Sequence, residues 1–212
     1  MHPKDTAGEA NITTTSCIAL AGGKSTRFGR DKKTEIIAGQ SLLERVLRRL
    51  KPLAQEIIVV TAQGQSIGPL PLDNVKVVSD VLPGKGPLGG IYTGLLESRS
   101  ECNIVVASDM PFLNQNLLTH MAQSCPCYDM VVPRVGNLVE PLHAIYARSC
   151  ISVIEELLRN NNLVTYALMD LVKVRYIDKE EIERFDPEHL SFFNINTKSD
   201  LARALELAER GK

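Results

Sequence analysis

Ser16-Cys17-Ile18-Ala19-Leu20-Ala21 runs directly into Gly22-Gly23-Lys24-Ser25-Thr26-Arg27-Phe28-Gly29-Arg30-Asp31-Lys32-Lys33. The first stretch is a short, nearly continuous apolar run and reads as a buried strand. A strand buried on both faces belongs in a mostly parallel sheet covered by helices. The second stretch is chemically its opposite. Between Lys24 and Lys33 there are five cations and one anion, a local balance of +4. Gly22, Gly23 and Gly29 let the backbone come close to a ligand and turn its N–H groups toward phosphate oxygens. Lysines and arginines neutralise a polyphosphate. A merely solvated charged loop is the plain alternative. Cations interleaved with glycines straight after a buried strand favour a nucleoside triphosphate held at residues 20–33.

Outward from this loop, strand-like and helix-like segments alternate. Ser41–Leu50 has helical spacing, with Leu42, Val46 and Leu50 on one face. Ser41 followed by Glu44 forms a capping box at its start. Glu56–Thr61, Val75–Ser79 and Asn103–Ala107 read as strands. Leu88–Ser98, entered through Pro87, reads as a helix, as do Asn114–Gln123, Ser149–Asn160 and Ser199–Glu209. Further strands are expected at Val131, Val139–Tyr146, Val172–Ile177 and Phe192–Ile195. The alternation predicts a three-layer α/β/α, Rossmann-like fold with a mostly parallel sheet. Residues 1–15 are polar and read as a disordered tail. Residues 16–212 read as one domain, with a nucleotide-binding part at about 16–112 and an acceptor-binding part at about 113–212.

Composition narrows the function. The net charge of −1 gives no overall basic field for nucleic acid or anionic membrane. No apolar run approaches the ~20 residues that span a bilayer. The N-terminal residues lack the apolar core of a signal peptide. The five cysteines, with Cys17 and Cys102 in apolar strand-like settings, are expected to be reduced thiols of a cytoplasmic protein. Cys125-Pro126-Cys127 is spaced too tightly for an ordinary zinc site, and the four histidines make no cluster.

Two phosphate motifs are partly matched. Gly23-Lys24-Ser25 resembles a Walker A ending, but the required leading glycine falls at Ile18 inside the strand. Gly84-Lys85-Gly86-Pro87-Leu88-Gly89 fits the dinucleotide fingerprint, which would make the chain an NAD-dependent oxidoreductase. Against that, Asp80 to Pro83 separate the strand from the first glycine. Asp109 follows a strand and faces the cationic loop. A carboxylate there suits Mg²⁺, which takes one or two carboxylates plus phosphate oxygens; a turn-capping aspartate is the other reading. Asp80 either meets a base or ribose or caps a turn. Asn194-Ile195-Asn196-Thr197 either caps the last helix or edges the active site.

Taken together, these segments resemble the molybdenum cofactor guanylyltransferases, within the wider nucleotidyltransferase group. The resemblance rests on Leu20-Ala21-Gly22-Gly23, Ser25-Thr26-Arg27-Phe28-Gly29, Asp31-Lys32, Gly86-Pro87-Leu88-Gly89-Gly90-Ile91, Asp109-Met110-Pro111-Phe112, Glu140-Pro141-Leu142-His143-Ala144 and Phe193-Asn194-Ile195-Asn196-Thr197. It implies transfer of GMP from Mg-GTP to molybdopterin or Mo-molybdopterin, with release of pyrophosphate. It implies nucleotide contacts at Leu20, Ala21, Gly22, Gly23, Lys32, Asp80 and Asp109, and more weakly at Thr61. It implies catalytic charge at Lys32, Arg27 and Asp109, metal binding at Asp109, and an acceptor side at Asn194 and Asn196. It leaves room for transient contact with other proteins of cofactor assembly. Relatives often carry arginines where this chain has Asn160-Asn161-Asn162-Leu163-Val164. A CTP-using enzyme, or one with another phosphorylated acceptor, is the nearest alternative.

Overall fold

The computed structural model describes residues 15–22, 36–37, 39–70 and 72–210. Its centre is strand β1 (Ser16–Leu20), flanked by β4 (Glu56–Thr61) and β6 (Cys102–Ala107), all parallel. Residues along β1 alternate between the two faces, as the period of a strand requires. Cys17 and Ala19 join one core cluster, whereas Ile18 joins the other. Both faces are dry, which is why the run in the sequence is apolar without interruption.

Strands β5 (Val75–Ser79), β7 (Met130–Val135), β9 (His143–Ala147) and β10 (Val174–Asp178) complete the main path. The order is β10-β7-β9-β6-β1-β4-β5, with β8 (Leu138–Val139) paired to β7. Helices α1 (Leu42–Leu50) and α3 (Gln115–Gln123) pack on one face. Helices α2 (Gly86–Glu97) and α4 (Cys150–Arg159) pack on the other. The expected three-layer α/β fold is therefore present. The sheet is parallel except at β9, which is antiparallel to both β6 and β7, and at β8. A short hairpin of β2 (Ile36–Ile37) and β3 (Gln40–Ser41) lies outside the main sheet. Helix α5 (Lys179–Ile182) follows β10, and α6 (Lys198–Arg210) closes the chain.

Local signals placed most helices within a residue or two. Ser41 caps α1, its Oγ accepting from the Glu44 N–H at 3.2 Å. Asn114 caps α3 by accepting from the Leu117 N–H at 3.0 Å. Pro87 sits in the first turn of α2, where its missing N–H costs nothing. The expected strand at Phe192–Ile195 is absent; a 3-10 turn at Leu190–Phe192 runs into a loop instead. The expected strand at Val139–Tyr146 is broken by Glu140–Leu142 into β8 and β9. The expectation of reduced cysteines is also corrected. Cys102 and Cys125 form a disulfide, while Cys17, Cys127 and Cys150 are free. No local pattern announces that pairing, because it depends on α3 folding back along β6.

Helix α2 lies unusually close to β1. A Cβ on Gly94 would stand 2.4 Å from Ile18 Cγ2, and one on Gly90 would stand 3.2 Å from Leu20 Cδ2. Gly94→Ala gains roughly 1 kcal/mol of helix propensity. It is nevertheless expected to destabilise the protein by about 1–3 kcal/mol, because a buried β-branched side chain cannot step aside. Urea unfolding should show a lower midpoint with an unchanged slope.

Candidate active site

Ligands in open sheets of this kind sit beyond the carboxyl ends of the strands, at the point where strand order reverses. Here that point is β1, from which the chain goes to β4 and β5 on one side and then to β6 on the other. The strand ends are stitched to one another. Ala21 N–H donates to Val60 at 2.8 Å, Asp80 N–H to Thr61 at 2.8 Å, and Ser108 N–H to Leu20 at 3.1 Å. One row of four ends thus carries Asp80, Thr61, Leu20–Gly22 and Asp109. At the usual strand spacing, Asp80 and Asp109 are separated by about 14 Å, so they face different parts of any bound nucleotide.

Each member of the row has a distinct environment. Gly22 is crowded, since a Cβ there would lie 3.0 Å from the Ala62 backbone nitrogen. Its lack of a side chain therefore serves the packing of β1 against β4 as well as any ligand. Thr61 is buried, and its hydroxyl donates to the Val78 carbonyl at 3.3 Å. The exposed residue at that strand end is Ala62. Asp80 uses Oδ1 to accept from the Leu82 N–H at 2.9 Å, and the Thr93 hydroxyl lies 3.0 Å from that same oxygen. These bonds hold the turn from β5 into α2, so the capping role of Asp80 is directly visible. Gly84 and Gly86 take positive φ, +82° and +64°, in that turn. It follows an edge strand, whereas a dinucleotide fingerprint belongs to the first strand at the switch point. Gly23, Arg27 and Lys32 lie outside the described residues.

Asp109 is half-buried just past β6, and its carbonyl accepts from the Ile195 N–H at 3.0 Å. That bond brings the Asn194–Thr197 loop to the site. Asn194 is half-buried and Asn196 exposed. The loop also caps α6: the N–H groups of Asn196 and Thr197 donate to Asp200 Oδ2 at 2.9 and 2.8 Å. The Asp200 N–H returns a bond to Thr197 Oγ1 at 3.1 Å. Capping and proximity to Asp109 coexist, so the two readings of this loop are not exclusive. A third apolar cluster, Ile37, Leu42, Ile195 and Ala204, fixes α6 and the loop against the hairpin.

Glu140 is the group that sequence reasoning passed over. Because β9 runs antiparallel to β6, its beginning lies beside the end of β6: His143 pairs with Val106, and the Ala107 N–H donates to Leu142 at 2.9 Å. Glu140 Oε1 accepts from the Leu142 N–H at 3.2 Å. Burial pushes the Glu140 carboxyl up from its ordinary range, and the charge of Asp109 pushes it further in the same direction. Two acids are therefore close enough to repel at the switch point. Among the described residues no group of three or more His, Cys, Asp or Glu could cage a metal. A pair of acids without a full cage suits a cation that keeps its other positions for phosphate oxygens and water.

Across the sheet edge, Lys85 Nζ donates to Asn161 Oδ1 at 2.9 Å. The asparagine-rich turn after α4 is thereby tied to the start of α2.

His143 supports the site from beneath. Its ring is wholly buried, 4.9 Å from the Phe192 ring in an edge arrangement. Neither ring nitrogen has a partner among the described residues. Burial lowers its pKa from 6.5 to about 4. The folded protein therefore holds His143 neutral, and protonation favours the unfolded chain. Its contribution is intact above pH 6.5 and is lost as pH falls toward 4, on the order of 3 kcal/mol across that window. His143→Leu is expected to melt near the wild-type temperature at pH 7 and to lose less stability between pH 6.5 and 4. Parallel pH–melting curves for the two proteins would refute this assignment.

Comparisons with known proteins agree with this arrangement. The MobA-like NTP transferase domain model matches residues 17–175. A probable molybdenum cofactor guanylyltransferase of Pelotomaculum thermopropionicum is 35% identical over 198 residues, covering 92% of this chain and 94% of that protein. The crystal structure of molybdopterin-guanine dinucleotide biosynthesis protein A from Archaeoglobus fulgidus superposes with a TM-score of 0.80 at 28% identity, covering 92% of this chain and 99% of that one. A 2-C-methyl-D-erythritol 4-phosphate cytidylyltransferase from Thermus thermophilus shares the fold, with a TM-score of 0.68 at 17% identity over 92% of this chain and 98% of that one. The chain is a nucleotidyltransferase and belongs to the MobA-like NTP transferase family.

Proposed function

We propose that this enzyme transfers GMP from GTP to the terminal phosphate of molybdopterin, or of Mo-molybdopterin, and releases pyrophosphate. The observation that carries the reading is that Asp109 lies at a strand end next to the switch strand β1, with Glu140 brought beside it by the antiparallel entry of β9. The relatives' names supply the guanylyl group and the acceptor. Nucleotide contacts are assigned to Leu20, Ala21, Gly22, Gly23, Lys32, Asp80 and Asp109, and at the end of β4 to Thr61 or its exposed neighbour Ala62. Asn194 and Asn196 are assigned to the acceptor side, with the nucleotide part at about 16–112 and the acceptor part at about 113–212.

The chemistry needs two anions pushed together. A phosphate oxygen attacks the α-phosphorus, and the bond to pyrophosphate breaks. Catalysis of such transfers is mainly positioning and charge stabilisation. Lys32 and Arg27 neutralise the α-phosphate and the departing pyrophosphate. Asp109, with Glu140 beside it, holds Mg²⁺, which when bound draws charge from the phosphate oxygens. Asn194 and Asn196 orient the incoming phosphate. No histidine base is needed, because the attacking group is already ionised, and His143 is too deeply buried to act as one.

Among the described residues no helix is long and apolar enough to cross a membrane. The reading places the enzyme in the cytoplasm, with neither nucleic acid nor membrane as a partner and with transient contacts to other proteins of cofactor assembly. Incubation with labelled GTP, Mg²⁺ and molybdopterin, followed by chromatography, should yield a guanine dinucleotide. Equal or better incorporation from CTP would replace this reading with the cytidylyl one. Failure with either nucleotide, despite tight GTP binding, would point to another acceptor.

A further inference from the structure

The end of the sheet opposite the active site carries three of the five cysteines. Cys102 begins β6, and Cys125 and Cys127 lie in the 3-10 turn after α3. Cys102 and Cys125 are joined. All three line one cleft of about 410 Å³, together with Tyr128 and Lys173. Cys125 is buried, Cys102 is half-exposed, and Cys127 is a free, exposed thiol. The covalent loop closed by the bond spans 23 positions and contains β6, Asp109 and α3.

We propose that this cleft is a thiol–disulfide exchange site, with Cys127 as the entry thiol and a low-molecular-weight thiol as its reductant. Exchange requires a thiolate that can reach a disulfide sulfur. Among the described residues Cys127 is the only exposed free cysteine, since Cys17 and Cys150 are buried. The Cys127 thiolate attacks Cys102 Sγ, the more accessible sulfur of the pair. A Cys127–Cys102 bond forms, the Cys102–Cys125 bond breaks, and Cys125 leaves as a thiolate that takes a proton from water. A small dithiol then reduces the outer bond. It is itself oxidised to a cyclic disulfide and leaves three protein thiols. Oxidation by a small disulfide runs the same steps backward. The loop bearing Asp109 is thereby opened or closed from the far end of β6, without a ligand entering the active site.

The test uses the full-length oxidised protein. Dithiothreitol at low concentration is added, samples are quenched by alkylation, and peptides are mapped by mass spectrometry. After isomerisation the outer bond presents the exposed Cys127 sulfur to reductant in place of the buried Cys125 sulfur, so at ~0.1 mM dithiothreitol opening should be several-fold faster in wild type than in Cys127→Ser. The Cys102–Cys127 isomer should be trapped in wild type. Alkylating Cys127 in the folded wild type should slow opening as the serine variant does, which separates loss of the thiol from any effect of the substitution on folding. Reduced wild type and Cys102→Ser should melt at the same, lower temperature. Equal opening rates in wild type and Cys127→Ser, with no Cys102–Cys127 isomer, would overturn the proposal. So would a protein that keeps three free thiols at this end after treatment with oxidised glutathione.

Discussion

Asp109→Asn is expected to lower nucleotidyl transfer by ~100-fold or more, the scale on which loss of one preorganised charge-stabilising group is felt. The position explains why the effect falls on chemistry. Asp109 stands at the end of β6, next to the switch strand β1, and its backbone carbonyl already anchors Ile195. Asparagine preserves that carbonyl and the side-chain shape, and it caps turns about as well as aspartate. Melting temperature should therefore stay close to wild type. What disappears is the negative charge that shares the site with Glu140. With one carboxylate neutral, cation affinity falls, and excess Mg²⁺ should restore only part of the activity. A variant with wild-type kinetics would return Asp109 to the role of a turn residue. The Glu140 carboxyl offers an independent check. Without the neighbouring charge its pKa should move back down, which a carboxyl-resolved NMR titration of the variant would detect.

Lys32→Ala should also cost ~100-fold or more in turnover, because it removes a cation from the phosphate loop when charge on the departing pyrophosphate is greatest. Lys32 lies near the end of the Lys24–Lys33 segment, whose local balance is +4. The other cations keep the loop attractive to a polyphosphate, so GTP binding should weaken far less than turnover. A lysine that serves only as a solvated surface charge contributes little to stability or rate. Near-normal GMP transfer by Lys32→Ala would select that plain reading. The two substitutions are also expected to combine less than additively, since both act on the same phosphates.

Much of this architecture was written locally. The apolar run at Ser16–Leu20, the capping pair of Ser41 and Glu44, Asn114 before α3 and Pro87 at the start of α2 each act over a few residues. Such signals do not depend on what lies across the molecule, so they survive reading in one dimension. The same holds for the ends of the central strands. Leu20 ends β1, Asp80 and Asp109 come just after β5 and β6, and in a parallel sheet such ends fall in one row. The Asn194–Thr197 motif was legible as helix capping and as an active-site edge, and the structure shows it caps α6 and lies beside Asp109.

Strand partnership and side-chain company were decided only in three dimensions. Alternating elements imply parallel pairing, yet β9 enters the sheet antiparallel between β6 and β7. Its direction follows from the short return through Glu140–Leu142, and the residues of β9 itself fit either orientation. That reversal is what carries Glu140 to Asp109 and buries His143 against Phe192. Cys102 likewise meets Cys125 only because α3 returns along the sheet. By itself the sequence determined the order of elements, the buried strands and the placing of a run of cations and glycines straight after β1, because periodicity, capping and charge are local properties. Tertiary structure decided which acids share a site and which thiols pair, because those contacts exist only after distant segments have packed together.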